Sequence, residues 1–401
     1  MDRRHLWRLR MLLFFPVVGA LAHSSAGSAG AAPRFSSYAA CGWRVQQGGL
    51  FPGYPSYLSG ASADGVSDVW AVGEFAPASS HSTPVGTLVE HWNGAKWTVG
   101  PAVNQTLGET HLVGVSALSA SDVWAAGYYG DPFSGPIYTL AEHFDGAKWS
   151  ITPTPNPKAD FETYLSGIAA LSHADAWAVG EYYPASQSSA QTLAEHWNGS
   201  KWTIVRTVNV SSYQNVLAAA AGSASNDVWA VGGAEGVSNG GLAEHWDGHK
   251  WTGSSVPSPA GAVLSAVTEI APNDIWAVGN YLSTSPPGYF TLTVHWDGNA
   301  WRAVSSPNVP HRFWNALLGV AAVSSKDVWA VGYWETAQSG GPTGPLVEHW
   351  NGKTWSIVRA HNINESAGFG AVAATPSTLF AVGGYAVSSG VNSTLVETTC
   401  S

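Results

Sequence analysis

The sequence predicts an all-β fold: a seven-bladed β-propeller of four-stranded antiparallel blades, closed by the N-terminal strand completing the last blade. Three observations predict it. First, the string Asp-Val-Trp-Ala-Val-Gly at 68–73 recurs in variant form at 122–127, 175–180, 227–232, 274–279 and 327–332, and as Thr-Leu-Phe-Ala-Val-Gly at 378–383. Its aromatic residues, Trp70, Trp124, Trp177, Trp229, Trp276, Trp329 and Phe380, are spaced by 54, 53, 52, 47, 53 and 51 residues. Second, a string of the form Leu-x-Glu-His-Trp-Asn/Asp-Gly-x-x-Trp, with variants, follows in the first six repeats, first complete from Leu88 to Trp97, and begins in the seventh. Third, 45 Gly and 21 Trp in 401 residues, with 11% charged residues, make a chain of strands and tight turns. Helical solenoids have shorter periods and helical periodicity, whereas about 50 residues of short strands and Gly turns make one propeller blade.

Each repeat divides into four strands. Strand A begins at Leu58, Leu112, Leu165, Leu217, Leu264 and Leu317, twelve residues before the aromatic residue of strand B. Two residues later the side chain is minimal in every blade: Gly60, Gly114, Gly167, Ala219, Ala266, Gly319 and Gly370. Only small residues fit where seven inner strands crowd one axis. Strand B is the Asp-Val-Trp-Ala-Val-Gly string, whose Asp is expected to close the A–B turn through backbone N–H groups. Strand C is Leu-x-Glu-His-Trp. The Asn-Gly or Asp-Gly pairs at 93, 145, 198, 247, 297 and 351 then read as two-residue type I′ turns, and strand D starts at Trp97, Trp149, Trp202, Trp251, Trp301 and Trp355.

The seventh repeat ends at Cys400-Ser401 without a strand D, and Cys41-Gly42-Trp43-Arg44-Val45 matches the missing segment. The N-terminal strand is therefore expected to close the ring and remove an open edge. Cys41 and Cys400 then flank the absent C–D turn, within reach of a disulfide. That bridge would need an oxidising compartment, and the N-terminus supplies the address. Arg3, Arg4, Arg8 and Arg10 precede an apolar run from Met11 to Ala22 ending in Ala-Leu-Ala, the pattern of a secretory signal peptide over residues 1–22. Residues 23–40 read as a flexible linker, and 41–401 as the propeller.

The formal net charge is −10, and cleavage would remove four Arg and one Asp, leaving −13. With 17 Lys and Arg spread along the chain, the basic surface that nucleic acid requires is missing. The same shortage argues against a polybasic hold on membranes. After signal cleavage no integral membrane segment is expected, and the protein is read as a secreted or extracytoplasmic monomer.

The order of these strings resembles the Kelch repeat of the galactose oxidase type of propeller. Trp70-Ala71-Val72-Gly73, a loop, Leu88–Trp92 and Trp97 follow its order of strand, loop, aromatic strand and Trp. The resemblance spans all seven units. It departs in detail, because the double Gly appears only at Gly232-Gly233 and Gly383-Gly384 and Glu-His-Trp replaces a Tyr-centred strand. It implies a propeller fold whose members include secreted copper oxidases and non-catalytic interaction modules.

Glu90-His91 and its counterparts offer metal-ligand and acid–base chemistry, but repetition in blade after blade marks them as structural. With two-residue turns, Glu90 would lie opposite Trp97 and His91 opposite Lys96, and both would hydrogen-bond between blades. The B–C loops differ in every blade, as functional loops do. Two residues past the strand-B Gly stand Phe75, Tyr129, Tyr182, Ala234, Tyr281, Trp334 and Tyr385. This ring either caps blade packing or, with His311, Phe313 and Trp314, forms a face that stacks on sugars or grips a protein. Trp334, Trp314, Phe313 and His311 break the pattern and are the preferred specificity residues. The expected function is a non-catalytic binding scaffold with a glycan or protein ligand on the face of the B–C and D–A loops, without cofactor or metal. The alternative is a secreted hydrolase or copper oxidase using loop residues such as His81, His111 and His311 near the axis.

Overall fold

The computed structural model describes residues 43–46, 55–76, 85–100, 102–131, 135–157, 162–184, 189–337, 341–361, 366–386 and 392–399. Among these, 28 strands form seven antiparallel units of four. Blade 1 comprises strand A Ser56–Gly65, B Asp68–Phe75, C Gly86–Trp92 and D Trp97–Val99. Blades 4, 5 and 6 are joined into one sheet by single bridges, Gly233 to Val263 and Tyr289 to Trp314. In blade 7, Arg44–Gln46 supplies the fourth strand, with Arg44 facing Thr398 and Gln46 facing Val396. The ring is closed as the sequence predicts. Cys41, Cys400, the 1–22 segment and the 23–40 segment lie outside the described residues.

Glycine fixes the inner ring. A Cβ on Gly167 would stand 2.7 Å from the Ala219 Cα of the next inner strand, and one on Gly319 would stand 2.8 Å from that of Ala371. The strand-B Gly is constrained differently. Strand A bulges between Leu165 and Gly167, and a Cβ on Gly180 would fall 2.0 Å from the Tyr164 carbonyl oxygen. Gly73, Gly127, Gly232, Gly279, Gly332 and Gly383 meet the equivalent carbonyl at 1.9 to 2.1 Å. Gly180→Ala should therefore cost about 3 kcal/mol or more, since backbone must move. Gly65→Ala, with nothing within 4 Å, should change stability by less than about 0.5 kcal/mol. Urea unfolding of both variants checks the contrast.

Tryptophan fills the space between blades. Trp177 of blade 3 lies 4.7 Å from Trp246 and 5.2 Å from Trp251 of blade 4, the second contact edge-on. The same trio recurs as Trp124 with Trp197 and Trp202, Trp229 with Trp296 and Trp301, and Trp276 with Trp350 and Trp355. At the closure, Phe380 of blade 7 meets Trp92 and Trp97 of blade 1. Large rings bury the most apolar area per residue, and their offset and edge-on contacts add to that gain.

Three local expectations are corrected. Trp92 pairs with Trp97, so the C–D connection is a four-residue loop, and only Gly94 takes positive φ. The Asn93 side chain accounts for it, because its Oδ1 accepts the N–H groups of both Ala95 and Lys96 at 3.1 Å. Glu90 consequently faces Val99, and His91 faces Thr98. The histidines act within blades: His91 Nε2 lies 2.6 Å from Asp68 Oδ1, and its ring stacks on Trp70 at 4.1 Å. Thus the strand-B Asp carboxylate is engaged by His, here and in blades 2 to 6. The glutamates do act between blades, through backbone N–H groups: Val208 N–H donates to Glu244 Oε2 at 3.0 Å, and His361 N–H to Glu397 Oε2 at 2.9 Å. The Trp177 and Trp251 Nε1 atoms have no hydrogen-bond partner among the described residues.

Candidate functional site

The seven inner strands enclose an axial cavity of about 160 Å³ lined by small residues such as Gly60, Gly114, Ala219 and Gly319. Small-molecule pockets usually enclose about 300 Å³ or more, so the axial cavity is smaller than a usual ligand pocket. Its chemistry lies at the end where the A strands begin, on the side of the B–C and D–A loops. There the blades stop resembling one another. One residue before the strand-A Leu stand Tyr57, His111 and Tyr164 in blades 1 to 3, but Val216, Val263 and Ala316 in blades 4 to 6. Their cross-strand partners on strand B are Glu74, Tyr128, Glu181, Gly233, Asn280 and Tyr333.

His111 is the hub. Its Nδ1 is in short contact with Glu74 Oε2 of blade 1, and its Nε2 stands 3.4 Å from Glu109 Oε2. Burial alone would lower its pKa, but the Glu74 carboxylate, together with Glu109, lifts it to about 9. His111 is thus a protonated imidazolium between two carboxylates at neutral pH. Its ring stacks on Tyr128 at 4.6 Å, and Tyr128 meets Tyr164 edge-on at 4.9 Å. The Tyr164 hydroxyl donates to Glu162 Oε2 at 3.0 Å.

The cluster continues around the axis through Tyr57, which also lines the cavity. Burial, and then the Glu74 charge, raise the Tyr57 hydroxyl far above its usual range, so it stays a neutral hydrogen-bonding group. Tyr333 is raised in the same sense by burial, then by Glu335, Tyr57 and Tyr289. One mouth therefore carries an imidazolium flanked by carboxylates on one side and a set of tyrosines on the other. Such a surface can hydrogen-bond, stack and hold charge, and it is built once.

The expected site residues divide between this mouth and the packing around it. Phe75, Tyr129, Tyr182, Tyr281, Trp334 and Tyr385 are half-buried and pack against the apolar clusters between blades. Tyr182 also borders a hollow at the outer edge of blades 3 and 4, with Arg206, Trp246 and Lys250. Trp314 is buried, stacked on Tyr289 at 3.8 Å beside Phe313 and Tyr333. Trp334 lies under the Arg312 guanidinium at 4.1 Å. His311 is exposed in a turn with φ of 59°. The structure thus brings Trp314 and Phe313 to the mouth's tyrosines, through the long B–C hairpin of blade 5. Glu74, Glu109 and Tyr128 were absent from the sequence expectation. Their signal is a column whose chemistry changes between blades while the columns beside it stay constant. His81 lies outside the described residues.

No family model and no curated protein sequence matches this chain. Among solved structures, it is similar to YCF48 bound to D1 peptide, at 14% identity and a TM-score of 0.52, over 90% of this chain and 96% of that one. It is similar to a protein of unknown function from Dyadobacter fermentans, at 10% identity and a TM-score of 0.53, over 90% and 99% of the two chains. A GH74 xyloglucanase from Xanthomonas campestris gives 13% identity and a TM-score of 0.52, over 88% of this chain and 55% of that one. The chain thus spans about half of the xyloglucanase chain. These likenesses establish the propeller fold.

Proposed function

We propose that this protein is a non-catalytic binding scaffold, a Kelch-like propeller exported through its 1–22 signal and working as a monomer. Its ligand, a protein segment or a glycan, docks on the axial mouth around Glu74, His111, Tyr128 and Tyr57. Trp314, Phe313, Trp334 and His311 border it. The observation that carries this reading is the break in symmetry. A ring of repeated blades gives the same chemistry at every column, and a site built for one ligand must depart from it. The departure is concentrated where seven strands converge and where loops of several blades can reach one molecule. Rigid aromatic rings beside carboxylates suit recognition with little loss of side-chain entropy. That one propeller of this shape is bound to a peptide and another is a xyloglucanase supports a macromolecular ligand of either kind.

The test is a screen of residues 23–401 against glycan and peptide arrays, followed by titration of the best ligand. Glu74→Gln should weaken binding tenfold or more, about 1.4 kcal/mol. Tyr182→Phe, at the hollow beside Arg206 and Trp246, should leave it unchanged. Equal affinities for wild type and Glu74→Gln, with the fold checked by melting, would remove the mouth as the binding site.

A further inference from the structure

The opposite face of the ring carries a constellation that the mouth does not explain. In blades 1 to 6 the strand-C His bonds the Asp that opens strand B, one His to one Asp. Blade 2 departs from this. There Asp122 Oδ1 lies 2.7 Å from His143 Nε2, while Oδ2 lies 3.0 Å from Nδ1 of His173, in the A–B turn of blade 3. The corresponding turn positions in other blades are Val66, Ala120, Ser225, Pro272 and Ser325. None of these side chains can take the place of an imidazole.

We propose that Asp122, His143 and His173 form a Zn²⁺-binding site on the face of the A–B and C–D turns. One donor atom from each of the three residues lies within 4.8 Å of the other two. Donors on one tetrahedral zinc at roughly 2.0–2.1 Å stand about 3.3 Å apart, so the imidazoles, now on separate oxygens of Asp122 at 2.7 and 3.0 Å, would open slightly from the carboxylate and swing together over one of its oxygens. Two imidazoles and a carboxylate are a donor set suited to zinc, with a fourth position open to water. Both ends of the site are held before a metal arrives. The His143 ring lies against Trp124 at 4.3 Å, and the His173 carbonyl accepts the Trp197 indole N–H at 3.2 Å. His173 itself projects into solvent, with 77% of its side chain exposed, so an ion can reach it without opening the fold.

Calorimetric titration of residues 23–401 with Zn²⁺ tests this directly. The expected result is one ion per chain, bound at micromolar concentration, with affinity falling at least tenfold in His173→Ala. That variant changes an exposed side chain and should melt as the wild type does. His196→Gln, which removes an imidazole from the Asp175 pair of blade 3, should bind Zn²⁺ as the wild type does. Absence of one-to-one binding in the wild type, or undiminished binding in His173→Ala, would overturn the proposal. An equal loss in His196→Gln would overturn it as well.

Discussion

The melting temperature should fall as pH rises from about 5 to about 9, the reverse of a protein held by surface carboxylates. The cause is the strand-C glutamate column. Glu142, Glu195, Glu244, Glu348 and Glu397 are fully buried. Burial pushes Glu142 and Glu244 from 4.5 up to about 8, with the Val103 and Val208 N–H groups offsetting part of it. Glu397 is pushed up to about 7, with His361 N–H opposing. A folded pKa above the unfolded one gives stability that is complete below about 4.5 and is lost as pH rises through the folded value. One unit corresponds to about 1.4 kcal/mol, so each of these groups can remove several kcal/mol. His111, raised to about 9, is also a proton held more tightly by the fold, so its loss adds in the same direction. His349, lowered by burial, works the other way only at the acid end.

The backbone decides which glutamates are most affected. Val103, Val208 and His361 each stand six residues past their strand-D Trp and offer an N–H to the next blade's Glu. At that step blades 2 and 5 have Pro155 and Pro307, which have no N–H to give. Among the described residues no backbone N–H reaches the carboxyl oxygens of Glu195 or Glu348, and burial holds both groups well above the usual carboxylate range. The Thr139 hydroxyl lowers Glu195 only in part, its own bonds going to Thr154 and Asn156. A Glu195→Gln, Glu348→Gln variant should therefore melt higher than wild type near pH 9 and show a shallower pH slope. An unchanged slope in calorimetry from pH 5 to 9 would refute the buried-acid origin.

Trp43→Ala should cost about 3–5 kcal/mol, as for a core tryptophan, although Trp43 stands just before the three-residue strand Arg44–Gln46. It occupies the strand-D Trp column of blade 7, 5% exposed. It meets Trp329 edge-on at 6.0 Å and Phe369 at 6.3 Å. Among the described residues it is the strand-D ring that Trp329 of blade 6 meets across that interface. In a ring, one loosened interface frees two neighbouring blades, so urea unfolding should also lose cooperativity. A Trp43→Ala protein as stable as wild type would mean that closure contributes nothing.

The blades, their closure and the glycine columns were legible because each rests on a periodic steric demand. Gly73, Gly127 and their counterparts recur because every strand-A bulge aims a carbonyl at the same Cα. The C–D turn was misread because Asn-Gly suits both a two-residue turn and a longer loop. The choice was made by the Asn93 side chain accepting two N–H groups, a preference that the dipeptide alone does not reveal. The His91–Asp68 bond was hidden for another reason: it depends on the B–C register, in which His91 faces Trp70. The mouth cluster was partly legible, since His111, Tyr57 and Tyr164 stand out from the aliphatic residues of their column. What the sequence could not give was their convergence with Glu74 and Tyr128, which depends on how blades 1, 2 and 3 meet at the axis.

The most direct measurement of where this protein binds is a crystal structure of residues 23–401 with the best ligand from the arrays. The ligand should lie across the axial mouth, in contact with Tyr57 or Tyr128 and hydrogen-bonded to Glu74 or Glu109. A ligand seated in the outer hollow beside Tyr182, or on the face that carries His173, would contradict the mouth as the functional site.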